Sequence, residues 1–124
     1  MIKCGEPPYL ECSSKGDKRF SAFYARIKKR GNKSIEEIYQ ASKIVLDKDN
    51  KRVSGLDWKE AKGREALNQR ICNKLYSKLW EEYIEENPEL IEVLKNASGL
   101  SDIFGRKGHC CQAIELWRIR GIFS

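Results

Sequence analysis

The stretch "NKLYSKLWEEYIEENPELIEVLKNASG", residues 73–99, carries two helical periods with a break between them. Leu75, Leu79, Tyr83 and Tyr76 recur at a spacing that places them on one helical face. After the break, Asn87 reads as an N-cap and Pro88 as the first helical residue, with Gly99 just past the last turn. Toward the C-terminus, "CCQAIELWRIRG" (110–121) repeats the period through Ala113, Leu116, Trp117 and Arg120, and Gly121 reads as its stop. Upstream, "SIEEIYQASK" (34–43) begins with Ser34 as a cap and Glu37 in the capping-box position; Ile35, Ile38, Ala41, Ser42 and Val45 share a face. A further helix is expected over "DWKEAKGREALNQ" (57–69), opened by Asp57 with Glu60 three residues on. Gly63 inside it costs about 1 kcal/mol relative to alanine, which points to a packing or close-approach role.

The N-terminal part is less regular. "GEPP" breaks helices, "SSKGDK" is turn chemistry, and "RFSAFYARI" (19–27) alternates enough for a short strand ending in "KKRGNK". "DKDNKRVSG" (47–55) reads as a polar turn or a small hairpin. The expectation is a mainly α domain over residues 1–124, α+β by virtue of a few short N-terminal strands.

Composition narrows the class. A chain of 124 residues, 40% hydrophobic and 34% charged, suits one modest core. No apolar run approaches the roughly 18–20 residues that span a bilayer, and "MIKCGEPPYLECSS" lacks a secretory apolar region. The implied setting is cytoplasmic and without a membrane. Five cysteines make an odd number without framework spacing, so free thiols acting as small buried hydrophobes are expected. Residues 15–33 hold eight basic side chains against one acid, with Phe20, Phe23 and Tyr24 among them. Such a segment suits a phosphate-bearing partner, including direct DNA contact, and equally a solvated surface loop. Glu81, Glu82, Glu85, Glu86, Glu89 and Glu92 form an acidic counterpart.

Chemistry-bearing residues concentrate in "SDIFGRKGHCCQ", 101–112. Structural zinc usually takes four ligands in spaced pairs, whereas adjacent His109, Cys110 and Cys111 diverge; Cys4 and Cys12 are compatible additions that nothing in the spacing requires. No metal and no cofactor is expected. "FGRKG" is not a P-loop, yet Gly105 and Gly108 with Arg106 and Lys107 before a helix can cradle an anion through backbone N–H groups. A plain helix–loop–helix connection accounts for it equally. Glu36 in a first helical turn and Asp102 at the loop's start are explained by dipole and capping effects as readily as by acid–base chemistry.

Taken in order, "FSAFY" (20–24), "SIEEIYQASK" (34–43), "AKGR" (61–64), "WEEYIEENPELIEVLKNASG" (80–99) and "DIFGRKGHCCQA" (102–113) resemble the motifs of the NADAR family of NAD- and ADP-ribose-associated domains. The resemblance covers about four-fifths of the chain and rests on motif order, each motif alone being loose. It implies a mainly helical fold and an N-glycosidase that cleaves a ribosyl C–N bond, as in ADP-ribosylated bases. Carried over residue by residue, it implies Glu36 and Asp102 as a catalytic carboxylate pair, with Lys43 and Arg64 as cationic contacts. Gly105 and Gly108 would form the phosphate-friendly turn, Phe104 an aromatic surface, and Phe23 or Tyr24 a stacking platform. The partner implied is an ADP-ribose-like nucleotide or an ADP-ribosylated nucleic acid. Ala22, Glu37 and Phe104 depart from the family's usual asparagine, histidine and tryptophan. A domain that binds ADP-ribose-type nucleotides without turnover, as a sponge or sensor, is the alternative, and a small basic nucleic-acid-binding protein the third.

Overall fold

The computed structural model describes residues 1–123, and its longest element is α3, Gln69–Glu86. Cys72, Tyr76, Leu79, Trp80 and Tyr83 are buried along one face, as a 3–4 spacing dictates. Leu75 is only half-buried, and the larger Trp80 ring takes the centre of the face. Rings of Tyr39, Tyr76, Trp80 and Tyr83 follow one another edge to face, with centroids 5.2, 6.5 and 5.6 Å apart. Each such pair adds about 0.5–1.5 kcal/mol beyond the area it buries.

The break at Asn87–Pro88 opens α4, Glu89–Asn96, which buries Leu90 and Leu94. Asn87 does not cap α4 with its side chain. Its Nδ2 instead donates back to the Tyr83 carbonyl at 2.8 Å, so it closes the end of α3. The last helix, α5, spans Gln112–Phe123, buries Ala113, Leu116 and Ile119, and runs on through Gly121. It packs against α3 and α4.

Between α4 and α5 lies a strand that was not expected. It belongs to a three-stranded sheet made with two N-terminal strands, β1 (Ile2–Gly5) and β2 (Tyr9–Glu11). The strand itself, β7, spans Gly99–Asp102 and is buried at every residue. It sits in the middle, antiparallel to β1 with Ile2 opposite Asp102, and parallel to β2 with Tyr9 opposite Gly99. "GLSD" holds no β-branched residue and starts with glycine, so local propensity argues for a loop; pairing on both edges overrides it. The glycine is needed for close approach. A Cβ on Gly99 would sit 2.7 Å from the Cys4 carbonyl oxygen and 2.7 Å from Tyr9 Cδ1.

The expected strand over 19–27 is mostly something else. Asp17 Oδ1 caps a single 3-10 turn, Lys18–Phe20, and a further turn follows at 21–24. Only β3, Arg26–Ile27, is extended, paired with β4, Lys33–Ser34. Burial explains this: Phe20, Ser21 and Ala22 are all inside and Phe23 and Tyr24 both outside, which a period of two cannot supply. Ser34 then caps α1, Ile35–Ala41, its Oγ accepting from the Glu37 N–H at 3.1 Å. Val45 leaves that helix and forms β5 (Val45–Leu46), which makes a hairpin with β6 (Arg52–Val53). The helix expected over 57–69 stops after one turn, α2, Trp58–Ala61. Gly63 takes φ +80°, a left-handed conformation that ends the helix and turns 62–68 into a loop. The result is an α+β fold, mainly helical with short strands, around one hydrophobic core.

Candidate functional site

Helix α1 projects Glu36, Tyr39 and Gln40 from one face, and Lys43 continues the same spacing just past its end. These four side chains form one wall of a cleft of about 680 Å³. The loop created by the Gly63 turn supplies Arg64, Glu65 and Ala66; the start of α3 supplies Gln69, Asn73 and Tyr76. Arg106, Gly108, His109 and Cys110 close it from the loop before α5. Three stretches separated in sequence, 36–43, 63–76 and 106–110, therefore meet there. A depression of about 640 Å³ on the other side of α1, against Trp58 and Leu75, contains none of the expected site residues.

Polar contacts join three of these walls. Gln69 Nε2 donates to Tyr39 Oη at 2.8 Å and to Asn73 Oδ1 at 2.7 Å, and Cys110 Sγ donates to the same Asn73 oxygen at 3.0 Å. Burial pushes the Cys110 thiol above its ordinary value, with Tyr39 hydrogen bonding opposing, so it sits in the cleft as a neutral group. Lys43 is buried, and its ammonium donates to the carbonyls of Arg64 at 3.2 Å and Ala61 at 3.5 Å. Burial lowers its pKa, while the nearby Glu36 charge acts the other way. Lys43 thus holds the 61–64 loop in place as well as lending positive charge to the cleft.

Glu36 is half-buried and accepts from Gln40 Nε2 at 2.8 Å. Arg64 and Arg106 are exposed at the mouth and make no ion pair among the described residues. Those two guanidiniums and the buried Lys43 ammonium set three positive charges around the cleft against the carboxylates of Glu36 and Glu65.

The other expected residues lie elsewhere. Asp102, 3% exposed at the end of β7, is not on the cleft wall. Its Oδ1 accepts from the Phe104 N–H at 3.0 Å, and its Oδ2 from Gln112 Nε2 at 2.8 Å and Cys111 Sγ at 3.5 Å. A connected path still reaches Glu36: Gln112 Oε1 accepts from the Ala22 N–H at 2.8 Å, and the Ala22 carbonyl accepts from the Glu36 N–H at 3.0 Å. The two carboxylates are therefore linked through the scaffold and do not face one another across the cleft. Phe23, 40% exposed, rests edge-on against Trp58 with Lys62 Nζ 5.0 Å from its ring. Tyr24 is exposed beneath Lys18 and Phe104 is exposed on the loop, neither lining the cleft. Gly105 is buried against Ile2 and Cys111 and packs the loop onto β1, leaving Gly108 as the glycine of that turn at the cleft.

Tyr39, Gln40, Glu65, Gln69 and Asn73 were not expected at the site. For the first two a signal exists, because positions 36, 39, 40 and 43 fall at helical spacing on one face. Nothing local marks Gln69 and Asn73, whose role depends on how α3 crosses α1.

Three of the eight basic side chains of the segment 15–33 form ion pairs among the described residues. Arg19 pairs with Asp17 at 2.7 Å, and Arg30 with buried Glu82 at 2.7 Å, where Lys29 also lies at 3.6 Å. Glu86 accepts from the backbone N–H groups of Lys28 and Lys29 at 2.7 and 3.1 Å. The acidic stretch of α3 is the counterpart of that segment. All five cysteines are free, and Cys12, Cys72 and Cys111 are buried. Among the described residues, no group of three or more His, Cys, Asp or Glu side chains is arranged to hold a metal ion, and no helix is long and apolar enough to cross a membrane. In comparisons with known proteins, no family model and no curated protein matches the chain.

Proposed function

We propose that the cleft binds an ADP-ribose-type nucleotide and acts as an N-glycosidase on a ribosyl C–N conjugate such as an ADP-ribosylated base. One observation carries this reading. Glu36, Lys43, Arg64 and Gly108, drawn from three separate motifs of the NADAR-like pattern, line a single cleft together with Arg106. Cleavage of a glycosidic C–N bond builds positive charge on the sugar, which an adjacent carboxylate stabilises. Glu36 is that carboxylate. Arg64 and Arg106 bind the pyrophosphate, for which guanidinium forks are well shaped. Asp102 acts indirectly, holding Gln112 and through it the Ala22 backbone that receives the start of α1.

The binding-only alternative is favoured by the position of Asp102, which leaves Glu36 without the second carboxylate of the expected pair. The two are separated by incubating the protein with ADP-ribosylated DNA and with free ADP-ribose and resolving products by mass spectrometry. Turnover releases ADP-ribose, and Glu36→Gln lowers the rate by about 10²–10⁴-fold in a protein that still folds. Recovery of bound nucleotide uncleaved, by wild type and variant alike, supports the sponge. Neither release nor binding refutes both.

A further inference from the structure

Gln40 stands one turn after Glu36 on α1 and lines the same cleft. Its Nε2 donates to Glu36 Oε1 at 2.8 Å, and this contact sets the direction of the carboxamide, since its oxygen would meet the carboxylate as a second acceptor. The other end, Oε1, is buried and has no hydrogen-bond partner, although the residue is only 7% exposed. Buried polar atoms are almost always paired. Two comparable carboxamides show how: Gln112 uses both ends, on Asp102 and the Ala22 N–H, and so does Asn68, on the Ile44 N–H and the Ser42 carbonyl. Gln40 alone of these three keeps an acceptor unmatched, and it does so beside the half-buried carboxylate of α1.

We propose that Glu36 and Gln40 form a clamp for a vicinal hydroxyl pair, one hydroxyl donating to Glu36 and its neighbour to Gln40 Oε1. The clamp rests on the nucleotide-binding reading and adds its sugar specificity: the cleft selects a ribosyl group over a 2′-deoxyribosyl group. Gln40 Oε1 is closed to solvent in the free protein, so the carboxamide must turn toward the cleft for a hydroxyl to reach it. The terminal torsion of glutamine is soft, so a small turn can bring the oxygen toward the hydroxyl at the cost of lengthening the Nε2 contact to Glu36. A sugar lacking the 2′-hydroxyl leaves a buried polar group unmatched, the situation in which sites discriminate best.

The test is isothermal titration of the whole protein with ADP-ribose, with the analogue lacking the 2′-hydroxyl of the terminal ribose, and with ADP, which lacks the terminal ribose altogether. Wild type is expected to favour ADP-ribose over the deoxy analogue by about tenfold or more. Gln40→Met, similar in volume, is expected to bind the two alike while keeping the wild-type affinity for ADP, which also shows that the variant is folded. Equal binding of both sugars by wild type overturns the clamp and leaves the nucleotide reading standing. Binding of neither overturns both, and a Gln40→Met protein that still discriminates assigns the selectivity elsewhere and overturns the clamp.

Discussion

Replacing Glu82 by alanine should destabilise the protein by about 2–3 kcal/mol. The carboxylate is 5% exposed on α3 and receives Arg30 Nε at 2.7 Å and Nη2 at 2.8 Å, a fork-to-fork pair. Breaking a fully buried ion pair costs about 3–5 kcal/mol, mostly because the surviving charge is stranded. Here the survivor is Arg30, whose side chain is 32% exposed and can take up water, so the loss falls below that range and close to two charge-assisted hydrogen bonds partly recovered by hydration. The reverse change, Arg30→Ala, leaves the more deeply buried Glu82 with Lys29 alone at 3.6 Å and should cost at least as much. For a chain of this size the Glu82→Ala loss corresponds to a melting shift of about 6–12 °C. The pH dependence has a fixed sign. Hydrogen bonds from Arg30 hold the Glu82 carboxyl below its ordinary value of 4.5, against burial. Its stabilisation is therefore complete above that value and disappears as the pH falls through the depressed one. Thermal unfolding of both proteins by circular dichroism, at neutral pH and in strong acid below the depressed value, measures the gap. A Glu82→Ala protein melting within about 1 °C of wild type at neutral pH, or a gap unchanged by acid, would refute the assignment of this pair as a fastening between α3 and the 3-10 turn Lys28–Arg30 that follows β3.

Two further substitutions separate packing from conformation, and a third separates chemistry from scaffold. Gly99→Ala places a methyl against backbone and ring on both sides of β7 and should cost about 3 kcal/mol or more, whereas Gly63→Ala, with nothing within 4 Å but φ +80°, should cost only about 1–2 kcal/mol; urea unfolding of the pair checks the order. Asp102→Asn presents an amide hydrogen to Gln112 Nε2 or to the Phe104 N–H, so one buried donor loses its acceptor and stability should drop by about 1–3 kcal/mol, measured by the same unfolding. An Asp102→Asn variant as stable as wild type contradicts the scaffold role of this carboxylate.

The helices were legible because their signals are local. The face of α3 follows from spacing and that of α5 in part, through Ala113 and Leu116 but with Ile119 buried in place of Trp117 and Arg120 and no stop at Gly121, and the Ser34 cap is found where the capping-box pattern puts it. What local reading missed has a common cause. β7 exists because two N-terminal strands flank it, Asn87 serves the helix behind it, and Gly63 ends a helix that composition alone would carry to residue 69. The same holds for the site. Glu36, Lys43, Arg64 and Gly108 could be named from motif order, but the partners that fill the cleft between them, Gln69 and Asn73, are set by the crossing of α1 and α3, which no spacing encodes.

That crossing also bears on why two carboxylates so far apart in role appear in one pattern. Asp102 closes the central strand and is saturated by Phe104, Cys111 and Gln112, so turning it toward a ligand would break a buried bond. Glu36 engages one oxygen with Gln40 and keeps the other for the cleft. A group that must stabilise charge developing on a substrate needs such an uncommitted oxygen, and a group that must set the position of a helix start needs both of its oxygens engaged. On the proposed reading the two are divided, with Glu36 as the reacting carboxylate and Asp102 as the anchor that places it through Gln112 and the Ala22 backbone. Loss of Asp102 should then appear first as a looser α1 start and only through it as weaker chemistry, while loss of Glu36 should leave the fold intact.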